Sequence, residues 1–137
     1  GFMVENHYDF INVHHHKSNA VFETILKKEG KDDTYFVEVN REKEYLPSPN
    51  LHAQFLLKHA CMEFVASGLN LRQLLDWAFF VKAHGAKVNW EWQLKILDEF
   101  GMKSMFNIFN AICVEDLGFQ SNIFPHLQYD AKLKDKV

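Results

Sequence analysis

The run Gly68-Leu69-Asn70-Leu71-Arg72-Gln73-Leu74-Leu75-Asp76-Trp77-Ala78-Phe79-Phe80-Val81-Lys82-Ala83-His84-Gly85 governs the architecture of this 137-residue chain. Asn70 can accept a hydrogen bond from the first free amides of a helix, and Gln73 follows three residues on. That is a variant of the capping box, with Asn at the cap. His84-Gly85 closes the helix. Between them, leucines, Trp77, Ala78, Phe79, Phe80 and Val81 cover it with apolar surface. A helix apolar on all sides is one that others enclose. Its polar members, Arg72, Gln73 and Asp76, cluster on one face. Arg72 and Asp76 read as a buried i,i+4 ion pair in the less favoured order, basic before acidic. A buried pair is weak support for stability, so this one points to positioning of a neighbouring segment or to a ligand contact.

Three further helices flank that run. Ser48-Pro49 is a cap with Pro at the first helical position, opening a helix over residues 50–66 that stops at Ser67-Gly68. Asn89 caps a helix through Phe100, stopped by Gly101, and another covers residues 102–116 before Gly118. Upstream the pattern is mixed. Residues 8–16 read as a strand, with Tyr8, Phe10, Asn12, His14 and His16 on one face. Ser18 or Asn19 can cap a short helix over residues 20–28, stopped by Gly30. Residues 34–39 form the next strand, and residues 40–49 read as a linker. The expected fold is α+β: a small antiparallel sheet or hairpin followed by a four-helix, aromatic-rich bundle. It is one domain, with a strand-helix-strand part (1–40), a connection (41–49), the bundle (50–118) and an irregular tail (119–137).

Composition agrees with a packed core. The chain is 47% hydrophobic and 24% charged, which excludes global disorder. Thirteen Phe, four Tyr and three Trp make it 15% aromatic. Phe55, Phe64, Trp77, Phe79, Phe80, Trp90, Trp92, Phe100 and Phe106 fall within the expected helices, and rings beyond what the bundle can bury would mark a partner surface. The net charge of −3 gives no basic footprint for nucleic acid. No apolar run reaches the length of a membrane span, and the start lacks the pattern of a secretory signal. Two cysteines without CxxC spacing give neither a disulfide framework nor a zinc signature, so a reduced, cytoplasmic setting is expected. The start Gly1-Phe2-Met3 suggests a piece of a longer protein.

Several polar groups are candidates for chemistry. His14 and His16 share a strand face at a spacing that can chelate a transition metal. His52 and His59 share one face of the helix over 50–66, and Glu63 lies one turn beyond His59, in place for a His–carboxylate pair or a packing hydrogen bond. Trp90 and Trp92 face different sides, one of them core. Cys61 and Cys113 read as core residues. No GxSxG, P-loop, GxGxxG or HExxH is present.

The segment from Phe55-Leu56-Leu57-Lys58-His59 to Gly68-Leu69-Asn70-Leu71-Arg72-Gln73-Leu74-Leu75-Asp76-Trp77-Ala78 resembles the helical C-terminal part of an uncharacterised nucleotidyltransferase family, common in bacteria and related to the polymerase-beta-like superfamily. Asn12-Val13-His14 is a fainter match to one of its strands. The resemblance implies nucleotide substrates and phosphoryl transfer through two Mg²⁺ held by carboxylates. It marks His59, Arg72 and Asp76 as motif positions without assigning their roles. The family's Gly-Ser turn and Asp-x-Asp pair are missing, and its third carboxylate would fall near Asn12, an amide. A fragment or degenerate member, inactive alone, is therefore expected. The other expectation is a non-catalytic binding module that docks a second copy or a missing N-terminal portion.

Overall fold

The computed structural model describes residues 17–124, apart from 33 and 69. The strand expected at residues 8–16, with His14 and His16, lies outside these. The element order is α1 (Lys17–Asp32), β1 (Phe36–Val39), β2 (Glu42–Tyr45), α2 (Pro49–Ser67), α3 (Leu71–His84), α4 (Trp90–Glu99) and α5 (Lys103–Glu115). Short 3₁₀ turns occupy Gly85–Lys87 and Ser121–Ile123. This is the α+β arrangement the patterning implies, a small antiparallel sheet joined to helices.

Two boundaries upstream differ from the expectation. Helix α1 starts at Lys17 and continues through Gly30 to Asp32. Glycine weakens a helix interior by about 1 kcal/mol, which tertiary packing overrides. Phe22 and Leu26 supply that packing, both fully buried in the core shared with the later helices. The second difference lies in the supposed linker, where β2 pairs antiparallel with β1 in the register Phe36↔Tyr45, Val37↔Glu44, Glu38↔Lys43 and Val39↔Glu42. Asn40 (φ 53) and Arg41 (φ 71) turn the chain between them. Two successive left-handed residues are the mark of the hairpin turn whose twist matches that of its strands. Asn-Gly is its usual signature. Arg41→Gly is thus expected to stabilise the protein by about 1 kcal/mol, read as a raised urea midpoint.

The downstream helices begin where capping chemistry places them. Ser48 Oγ accepts the Leu51 N–H at 3.3 Å, with Pro49 at the first helical position. Asn89 Oδ1 accepts from Trp92 N–H at 3.1 Å. The box at Asn70 is incomplete: Asn70 Oδ1 takes the Arg72 N–H at 2.9 Å, and Gln73 Oε1 is buried without a partner. Gly101, at φ 68, makes the left-handed turn that ends α4.

Helix α3 is the centre of the bundle, packed on both α2 and α5. Leu74, Trp77, Ala78, Phe80 and Val81 are buried there. Trp77 Nε1 donates to Asn110 Oδ1 of α5 at 2.8 Å, and Cys113 Sγ lies 3.6 Å from the Leu74 carbonyl. The enclosure is not complete on every side, since Leu71 and Phe79 are exposed. Helix α4 is tied to the start of α2. Asn50 Oδ1 accepts the Asn89 N–H at 2.7 Å, and the Asn50 carbonyl accepts from Gln93 Nε2 at 2.7 Å.

Candidate functional site

The polar residues singled out in α2 and α3 do not converge. His59 is exposed and stacks on Phe55, with ring centroids 5.8 Å apart and planes within 7°. It makes no ion pair with Glu63. Arg72 and Asp76 do pair, at 3.9 Å, but their side chains are 87% and 56% exposed. The expectation of a buried pair is corrected. The polar face of α3 turns outward, because its apolar residues pack on other sides. A pair that long and that exposed contributes little to stability.

Asp76 instead belongs to a groove that the sequence reading did not assemble. The groove has a volume of about 380 Å³ and lies between α2 and α3, lined by His52, Leu56, Asp76, Phe79, Phe80, Ala83 and His84. The rings of His52 and His84 approach Phe80 at 4.8 and 5.6 Å. His84 Nδ1 is buried and has no hydrogen-bond partner. His52 is exposed but packs on Phe80, and partial desolvation, with the nearby His84 to a lesser degree, holds its pKa below the usual value. The signal available in the sequence was weak: His52 and His84 lie on different helices, and only their shared contact with Phe80 joins them.

That depression has a measurable consequence. Unfolded His52 takes up a proton near its ordinary pKa, whereas folded His52 resists it. Its contribution to stability is therefore complete above about pH 6.5 and is lost as pH falls through the lowered folded value. Urea midpoints measured between about pH 8 and about pH 5 should fall less steeply for His52→Gln than for the parent. Identical slopes would show that His52 is not the responsible group.

Two further grooves adjoin α3. One of about 450 Å³ is lined by Phe79, Lys82, Leu117, Gly118, Phe119, Gln120 and Ile123. Another of about 410 Å³ shares Lys82 and Ile123 with it and adds Trp90 and Asn122. Trp90 is half-buried, its Nε1 donating to the Gly85 carbonyl at 2.8 Å, and Trp92 is half-buried as well. Neither cysteine is poised as a nucleophile. Burial pushes the Cys61 thiol up to about 11 and the Cys113 thiol up to about 12.

The donor set can be tested against the Mg²⁺ implied by the resemblance. Magnesium requires convergent oxygen ligands, usually including carboxylates. Among the described residues, no three His, Cys, Asp or Glu side chains are placed to hold one ion. Among them, no helix is long and apolar enough to cross a membrane.

Residues 1–118 match the sequence profile of the family described as uncharacterised nucleotidyltransferase, and the chain belongs to that family. No curated protein and no solved structure matches it.

Proposed function

We propose that this chain is a nucleotidyltransferase-family protein that binds nucleotide but does not complete a two-metal transfer centre by itself. One observation carries the reading. The family match includes Asn12, near which the third carboxylate of the resemblance falls, while no Gly-Ser turn and no Asp-x-Asp occur anywhere in the chain. A neutral amide oxygen cannot replace a charged carboxylate on Mg²⁺ without a large loss of affinity. The protein then acts either as the helical portion of an enzyme whose catalytic strands lie on another stretch of polypeptide, or as a degenerate relative. Both forms give the same result for these 137 residues.

The test is label transfer from α-labelled nucleoside triphosphates in the presence of Mg²⁺. The expected outcome is no incorporation above a protein-free blank, with nucleotide binding retained. Robust transfer by the chain alone would overturn the proposal. Should transfer occur, Asp9 and Glu38, carboxylates of the two strands expected from sequence, are the first ligands to test, and transfer that survived their substitution would exclude them.

A further inference from the structure

Phe79 is 56% exposed, while Trp77 and Phe80 on the same helix are buried. Its ring meets Phe119 edge to face at 5.4 Å. It is also the shared wall of two grooves of opposite character. On one side lie Asp76, His52 and His84, with no Lys or Arg in the lining. On the other lie Lys82 and Gln120, with no Asp or Glu in the lining. Among the described residues Lys82 has no ion-pair partner. Asp76, Phe79 and Lys82 follow one another at three-residue steps, so Asp76 and Lys82 flank Phe79 about 60° to either side of it and lie about 9 Å apart along the helix axis.

The geometry points to this stripe as a binding site for a nucleoside 5′-phosphate, with the base on Phe79, its amino edge at Asp76 and the phosphate at Lys82. The preference for a nucleotide over other aromatic anions rests on the nucleotidyl-transfer reading above. The charges argue for the orientation. Lys82 has no ion-pair partner among the described residues and is the cation open to a phosphate, whereas Arg72 on the other side is engaged by Asp76 at 3.9 Å. A flat base gains from stacking on an exposed ring, whatever its identity. Adenine, guanine and cytosine carry amino N–H donors that a carboxylate accepts, whereas uracil offers two carbonyl oxygens beside a single N–H. The site therefore favours amino-bearing bases over uracil.

The experiment is an amide NMR titration of the full chain with AMP, UMP, adenosine and phenyl phosphate. Expected are saturable shifts confined to α3, the neighbouring His52 and Leu56 of α2, and residues 117–123, with AMP bound about tenfold more tightly than UMP. Phe79→Ala should weaken AMP about tenfold or more, without unfolding the protein, because the ring is largely exposed. Lys82→Ala should reduce AMP affinity to that of adenosine, and Asp76→Asn should remove the preference over UMP. If AMP shifts residues elsewhere and all three variants bind as the parent does, the site is wrong while the nucleotide reading stands. If phenyl phosphate binds as tightly as AMP, the base assignment is wrong. If no nucleotide shifts any resonance, both this site and the nucleotide-binding reading fall.

Discussion

Alanine in place of Trp77 is expected to abolish cooperative folding. The indole is 1% exposed and touches Phe80, Trp90 and Phe106, with centroids 5.9, 6.2 and 6.1 Å away. Truncating a buried Trp costs about 3–5 kcal/mol in lost burial and cavity. It also removes the donor to Asn110 Oδ1. Asn110 is fully buried and its Nδ2 already has no partner, so the whole amide would be orphaned. That adds about 1–3 kcal/mol. The sum approaches the entire stability of a small domain, about 5–15 kcal/mol. Near-UV circular dichroism and urea unfolding read the outcome. Trp77→Phe should fall between parent and alanine variant, since it keeps most of the packing and loses the donor together with part of the ring volume. An alanine variant with the parent's urea midpoint would show that α3 is not the centre of the fold.

The second large effect has the opposite sign. Gln54 of α2 is 0% exposed, and neither its Nε2 nor its Oε1 has a hydrogen-bond partner. An unsatisfied buried amide costs about 1–3 kcal/mol, while methionine has a similar shape and no such demand. Gln54→Met is expected to stabilise the protein by about 2 kcal/mol, or about 5 °C or more in Tm. Gln93, equally buried, is a contrast, because its Nε2 donates to the Asn50 carbonyl. Replacing it by methionine should bring no comparable gain. A lower Tm for Gln54→Met would show that its amide is held by a polar group.

What was legible in the sequence was local. Ser48-Pro49, Asn70 and Asn89 mark helix starts because capping involves groups only two or three residues apart. A small antiparallel sheet or hairpin was expected, but its second strand, Glu42–Tyr45, was hidden for an equally local reason: Arg41 adopts a conformation for which glycine is the familiar signal. The ends of α1 were hidden because Phe22 and Leu26 stabilise it through the distant core. The site was the least legible part. Counting apolar residues around α3 makes the helix central, but it does not say which stripe lacks a neighbour. That stripe proved to hold Asp76 and Phe79, so the ion pair expected inside lies at the surface. His52 and His84 are separated by a whole helix boundary, and no spacing rule joins them.

The two bonds from Asn50 bear on how the chain reaches this state. They cross 39 and 43 residues of sequence to hold the first turn of α4 against the first turn of α2. Closing contacts that distant costs chain entropy, which the packing of the intervening α3 on α2 helps to offset. Once formed, they give α4 a fixed starting point that its own short sequence does not guarantee. The helical layer should therefore assemble and come apart as one unit, with α2, α3 and α4 opening together instead of fraying one by one.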